Sequence, residues 1–297
     1  MAEAERPLLI LGGSGQVGGA LLGEARRRGL NAVGTYRTSP TPGLTAWGGG
    51  LDALAGLLDA FDPWGVVYAA GMNNVDASEG NEVEADRWNA GVPAEIARRC
   101  RGCRRFAYFS TEYVFDGCSG PYGEEEVVNP LSTYGRSKAR GEAAVLSADP
   151  SALVLRTTVV YGPEAQEKNF VARLRRELGR GERMRVPRDQ VSSPTYNEDL
   201  AARTLDLLAA KASGIWHVAG PEVMDRFAFA RLAAATFGLD PALLEPAATG
   251  ELGQLARRPL QAGLRTDKLR AAFGPAAMRG PREGLTAYAR SEAAVVR

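Results

Sequence analysis

The stretch Leu8-Leu9-Ile10-Leu11-Gly12-Gly13-Ser14-Gly15-Gln16-Val17-Gly18 decides how the rest of the chain is read. Four consecutive apolar residues have the make-up of a buried strand. Gly12, Gly15 and Gly18 follow, and over residues 15–28 apolar side chains recur at helical spacing, with Val17, Leu21, Leu22 and Ala25 on one face. A strand that turns through glycines into a helix suits a dinucleotide. Glycine permits the tight turn and lets a pyrophosphate approach bare backbone, while the helix's first N–H groups, at the positive end of its dipole, face the anion. Ser14, Gln16 and Val17 lie inside this turn and count with Gly12 and Gly15 as cofactor-binding candidates.

Outward from this unit, strand and helix alternate. Strands are predicted over residues 31–36, 66–70, 106–110 and 152–157. Helices are predicted over 51–61, stopped before Pro63, and over 85–100 and 133–146. Such alternation implies an α/β fold, a Rossmann-type doubly wound parallel sheet that binds ligands beyond the carboxyl ends of its strands. After Tyr161-Gly162-Pro163 the rhythm loosens. Helices are expected over 169–178 and 197–210, a polar loop over 187–195, and mostly helical, proline-broken chain from about 225. The division expected is a dinucleotide-binding domain over 1–162 and a smaller, mostly helical substrate-binding lobe over 163–297, with a strand near 214–219 returning to the sheet.

Composition narrows the function. The 297 residues carry 36 lysines and arginines against 35 acids, so nothing resembles the basic footprint of a nucleic-acid binder. No apolar run reaches the ~18 residues of a membrane span. The acidic N-terminus lacks the features of a signal peptide, and the expected location is the cytoplasm. The pair Cys100 and Cys103 has neither a second pair nor nearby histidines to complete a metal site, so no metal is expected. His217, the single histidine, reads as a packed strand residue, which leaves proton chemistry to Tyr, Lys, Asp or Glu.

Tyr134-Gly135-Arg136-Ser137-Lys138 is the sharpest chemical feature. Residues i and i+4 share a helix face, so the phenol and the ammonium point the same way. A lysine charge beside a phenol would lower its pKa and help it give a proton to a carbonyl oxygen. Thr111, at the end of the fourth strand, would hold the same carbonyl. Arg37, where an acid would bind the adenine ribose, is suited to a 2′-phosphate. NADP is therefore expected, with NAD as the alternative.

Together these residues resemble the dTDP-4-dehydrorhamnose reductase family of extended short-chain dehydrogenases. The resemblance runs through G-x-x-G-Q-V-G, A-A-G-M-N-N-V-D-A-S-E, S-T-E-Y-V-F-D-G, N-P-L-S-T-Y-G-R-S-K and, later, G-I-W-H-V-A-G and R-R-P-L-Q-A-G-L-R-T-D-K-L. It implies that Gly12, Gly15, Gln16 and Val17 line the pyrophosphate and that Ala69, Ala70 and Gly71 pass the ribose and nicotinamide. It also implies that Thr111, Tyr134 and Lys138 form the catalytic group acting on a nucleotide-bound 4-keto deoxysugar. Departures fall at substrate positions: Glu112 replaces an aspartate, Met72-Asn73 replace Tyr-Thr, and Val159 stands for a tryptophan. An aspartate that often meets the adenine is absent near Trp47. Asn73, Thr111, Glu112 and Val159 are the substrate-binding candidates. The partner expected is a nucleotide sugar, and a homodimer is compatible with this reading. A related branch, the regulatory subunit of methionine adenosyltransferase, keeps the fold and binds NADP while serving another enzyme. It supplies the second reading.

Overall fold

The computed structural model describes residues 6–295. Its centre is β1 (Leu8–Leu11), whose four side chains are wholly buried. It pairs in parallel with β2 (Ala32–Tyr36) on one side and β4 (Gly65–Tyr68) on the other. The short β3 (Thr45–Ala46) extends the sheet beyond β2, and β5 (Arg105–Thr111) and β6 (Leu153–Thr157) extend it beyond β4. The strand Gly214–His217 pairs with β6, closing a seven-stranded parallel sheet among the described residues.

Alternate side chains of these strands enter two cores, as the two-residue period requires. Leu8, Ile10, Val67, Ala107 and Leu153 pack with Leu21 of the helix Gln16–Arg27 and with Leu200 and Leu205 of the helix Asn197–Ala209. Leu9, Leu11, Val66, Phe106 and Val154 face the opposite layer, with Leu54, Trp88 and Ile96. Burial on both faces explains why the strands read as unbroken apolar runs.

Three features depart from the sequence expectation. The helix expected over 85–100 is Glu82–Asp86 and Val92–Cys100 joined by a widened π turn over Arg87–Gly91. Pro93 lacks the N–H that a regular helix would aim at the Asn89 carbonyl. That oxygen instead accepts the Tyr108 hydroxyl at 2.7 Å, and the Trp88 oxygen accepts the Tyr68 hydroxyl at 2.6 Å. The segment expected as a loop over 187–195 contributes to ladders: Val191–Ser192 pairs with Met224–Asp225, and Thr195–Tyr196 with Val160–Tyr161. Met184–Pro187 pairs with Leu244–Ala247, so the later chain carries short strands as well as helices. These pairs are too short to leave a period in the sequence. A third core gathers here, with Val171, Leu174, Val186, Phe229 and Leu285.

His217 is wholly buried, its Nδ1 3.0 Å from the Arg265 oxygen, and burial lowers its pKa to about 3. It is a neutral core residue. No helix among the described residues is long and apolar enough to cross a membrane, and no cluster of three metal-binding side chains occurs among them.

Candidate functional site

A cavity of about 910 Å³ opens at the carboxyl ends of β1, β2 and β4. Gly12, Ser14, Gly15, Arg37, Ala69, Ala70, Gly71 and Asn73 line it. Gly12 has φ +95°, and a β-carbon there would stand 2.8 Å from the Ala69 carbonyl carbon, so only glycine fits the turn. Helical bonding begins with Gly19 N–H donating to the Gly15 oxygen at 2.8 Å. The N–H groups of Gln16 and Val17 therefore precede the ladder and have no intrahelical acceptor. Their side chains are elsewhere: Gln16 Nε2 donates to the Val160 oxygen at 3.2 Å, and Val17 packs on the core. This bare, glycine-walled cradle ending at a helix N-terminus fits a dinucleotide pyrophosphate.

Arg37 lies on the far wall with Thr38, Ser39 and Thr41. Its guanidinium carbon sits 4.8 Å from the Trp88 ring centre. Trp88 is itself fixed by an edge contact with Trp47 at 6.1 Å and by Nε1 donating to Glu84 Oε1 at 2.5 Å. Trp47 is thus a buried wall of the cavity. Across the opening, Gln166 Nε2 donates to the Ser14 oxygen at 2.8 Å, drawing the segment after Gly162 over the glycine turn. Nothing in the sequence around Gln166 signals this contact.

The cavity's inner end is Gly71. A β-carbon there would stand 3.0 Å from Lys138 Nζ and 2.7 Å from Asn89 Oδ1. Lys138 is carried on the helix Thr133–Ala148, which Ser132 caps by accepting from Gly135 N–H. Its Nζ donates to the Phe109 oxygen at 2.8 Å and lies 4.8 Å from the Tyr108 ring centre. Burial lowers its pKa to about 7, against the opposing pull of Glu142. Glu142, one further turn along, is held by Arg156 at 2.7 Å and by Ser110 at 2.5 Å.

Tyr134, one turn before Lys138, is buried too. Burial raises its pKa, and the nearby Thr111 hydroxyl only partly offsets this. This corrects the expectation of a phenol acidified by its lysine. In the free protein the tyrosine is neutral, whereas the lysine titrates near neutrality. Thr111 ends β5 and caps the turn Glu112–Val114, accepting from Tyr113 N–H at 3.2 Å.

Asn89 was not singled out in the sequence. The widened turn aims it at this centre: Nδ2 donates to the Met72 oxygen and to Ser137 Oγ, both at 2.9 Å, while Oδ1 is buried without a partner. Pro93 within a helical pattern was the available signal.

Glu112 is 3% exposed, and burial raises its pKa to about 7, with Thr158, Arg226 and Ser192 acting the other way. Its Oε2 is among the buried atoms without a well-formed hydrogen bond. Val159 holds φ +41°, a strained backbone for a β-branched residue, and packs beside Ser192, Arg226 and Phe229. Asn73 lies on the wall of the large cavity rather than beside Val159. Thr111, Glu112, Tyr134 and Lys138 thus form a buried group past Gly71, with the glycine turn and Arg37 on the other side.

Comparison with known proteins identifies the family. The model of the RmlD substrate binding domain family matches residues 6–292. A dTDP-4-dehydrorhamnose reductase of Mycobacterium tuberculosis (strain ATCC 25618 / H37Rv) is 36% identical over 265 residues, 87% of this chain and 84% of that protein. The methionine adenosyltransferase 2 subunit beta of Danio rerio is 31% identical over 273 residues, 89% of this chain and 84% of that protein. The crystal structure of a Bacillus anthracis dTDP-4-dehydrorhamnose reductase in complex with NADP superposes with a TM-score of 0.88 at 24% identity, covering 97% of this chain and 99% of that one. With its family match running almost end to end, the chain belongs to the RmlD substrate binding domain family.

Proposed function

We propose that this protein reduces a nucleotide-activated 4-keto deoxysugar with NADPH, NADH being the weaker alternative. The observation that carries the reading is the meeting at Gly71. There the dinucleotide cradle ends within contact distance of Lys138, one helical turn from a neutral, buried Tyr134 close to Thr111. Gly12, Ser14 and Gly15, with the free N–H groups of Gln16 and Val17, hold the pyrophosphate. Arg37 meets the 2′-phosphate, and Ala69, Ala70 and Gly71 run beside the ribose and nicotinamide. When bound, the cofactor supplies the hydride.

Thr111 and Tyr134 hold the substrate's carbonyl oxygen between two hydroxyls. A high phenol pKa keeps the proton on Tyr134 until negative charge develops on that oxygen, and the proton then passes to it. The phenolate left behind lies near the Lys138 ammonium, which stabilises it. Asn73, Glu112 and Val159 surround the sugar, and residues 163–297 supply much of its outer wall.

The likeness to the methionine adenosyltransferase beta subunit supports a second reading, a dinucleotide-binding regulatory subunit with little turnover. One assay separates them: NADPH oxidation with a panel of nucleotide 4-keto sugars. Turnover on one member is expected. Tight NADPH binding with no turnover on any member would move the assignment to the regulatory role.

A further inference from the structure

Residues 163–168 follow the strand Val160–Tyr161, reach across to the glycine turn and end at the helix Phe170–Gly179. Both feet of this stretch are pinned. At the first, Asn197 Nδ2 donates to the Pro163 oxygen at 2.8 Å. At the second, Glu164 Oε1 accepts from Lys168 N–H and from Asn169 Nδ2, each at 2.8 Å. Asn169 Oδ1 in turn caps the helix, accepting from Val171 and Ala172 N–H at 3.1 Å. Among the described residues one hydrogen bond joins the stretch to the glycine turn, from Gln166 Nε2 to the Ser14 oxygen at 2.8 Å, and it is exposed. A tip held by one exposed bond between two fixed feet opens without disturbing the helix behind it.

The same stretch brings a charge. Ala165, Gln166 and Lys168 line the large cavity together with Gly12, Ser14 and Gly15. Among the described residues two cations line that cavity, Arg37 and Lys168. Lys168 is exposed, and among the described residues its ammonium has no hydrogen bond or ion pair. The acids of the stretch do not compete for it. Glu164 is taken up by backbone and amide donors at the foot, and Glu167 is not part of the cavity lining. Glu167 instead holds φ +50° and turns the chain sharply between Gln166 and Lys168.

A dinucleotide with a 2′-phosphate brings two anions into this space. Arg37, with its neighbouring hydroxyls, faces the 2′-phosphate on the far wall. The pyrophosphate at the glycine turn meets backbone N–H groups alone. A helix N-terminus carries about half an elementary charge, less than a pyrophosphate brings. Lys168, two residues from the contact at Ser14, is the cation left to balance it.

We propose that residues 163–168 are a strap over the bound dinucleotide. Lys168 pairs with the pyrophosphate, and the bond from Gln166 to Ser14 is the latch that opens for the cofactor to leave. The inference rests on the dinucleotide reading of the cavity and holds for a reductase and for a regulatory subunit alike. It ties the rate of cofactor release to the opening of the tip.

The test measures cofactor binding by the full chain. Fluorescence titration gives the affinities for NADPH and NADH, and stopped-flow displacement gives the release rates. Both side chains are exposed, so the variants should fold. Lys168→Gln is expected to weaken both cofactors by a common factor of about 3–10-fold, a loss that shrinks in high salt, and Lys168→Arg to restore most of it. Gln166→Ala is expected to speed NADPH release by about 2–10-fold, the worth of one hydrogen bond, without slowing association. A folded Lys168→Gln protein that keeps both affinities within about twofold of wild type, or that loses affinity for NADPH alone, would overturn the pyrophosphate assignment. Release from Gln166→Ala at the wild-type rate would overturn the latch. Wild-type protein that binds neither cofactor would overturn the dinucleotide reading as well. Turnover on sugars enters none of these readouts, so a failure of the reductase reading stays separate.

Discussion

Arg37 holds its guanidinium carbon 4.8 Å from the centre of the Trp88 ring, and the hydroxyl-bearing Thr38, Ser39 and Thr41 line the same cavity. The stack holds the cation at the cavity edge before any ligand arrives, so little side-chain freedom remains to be lost on binding. Titrations of both cofactors should show NADPH binding more tightly than NADH. Arg37→Ala should weaken NADPH by about 10–100-fold, the range of one charge-assisted phosphate contact, and leave NADH nearly unchanged. Equal losses for both cofactors would show that Arg37 does not read the 2′-phosphate.

Tyr134→Phe keeps the ring that packs against Tyr113 and removes only the hydroxyl. NADPH affinity should hold, and turnover should fall by ~10²–10⁴, the usual worth of a positioned general acid. A variant with near wild-type turnover on the true substrate would remove Tyr134 from the proton-transfer role.

The pH dependence of the rate should follow Lys138 and not the phenol. Burial puts the lysine pKa at about 7 and drives that of Tyr134 upward. A lowered lysine pKa means that the ammonium is lost as pH rises through that value, so kcat should fall on the alkaline side of it. Lys138→Arg keeps a charge that does not titrate, so the slower variant should lack this limb. A limb of the same midpoint in Lys138→Arg would assign it elsewhere.

Glu112 leaves a signature in stability. Its pKa is raised from the ordinary carboxyl range to about 7 in the folded chain. The folded state therefore holds the proton more tightly, and this contribution is complete below the unfolded value and lost as pH rises through the folded one. Glu112→Gln mimics the protonated form. Its melting temperature should gain on wild type as the buffer moves from about pH 5 to about pH 8, by an amount reflecting up to about 3 kcal/mol. A difference independent of pH would show that the carboxyl is not desolvated.

The buried pair of Arg156 and Glu142 makes a separate prediction. Arg156→Met leaves the Glu142 carboxylate with Ser110 as its remaining neutral donor and should destabilise by about 3–5 kcal/mol in chemical denaturation. Adding Glu142→Leu should recover much of that loss. A single variant as stable as wild type would mean that solvent reaches the site.

What the sequence made legible was set by period and by local chemistry. The parallel sheet could be read because strands buried on both faces are apolar throughout, as Leu8–Leu11 is. The spacing of Tyr134 and Lys138 could be read because one helix carries both. Asn89 was hidden, since its direction depends on a widened turn set by Pro93 together with two distant tyrosines.

That widened turn also behaves as a joint that cannot relax by itself. Tyr68 and Tyr108 belong to adjacent strands, and each bolts its hydroxyl to one of the turn's two spare carbonyls. Straightening the helix would strand two buried phenols, so even Pro93→Ala, which restores the missing N–H, would leave the wider geometry preferred. The aim of Asn89 toward Lys138 is therefore fixed from the floor of the sheet, and Phe at both Tyr68 and Tyr108 would let it swing.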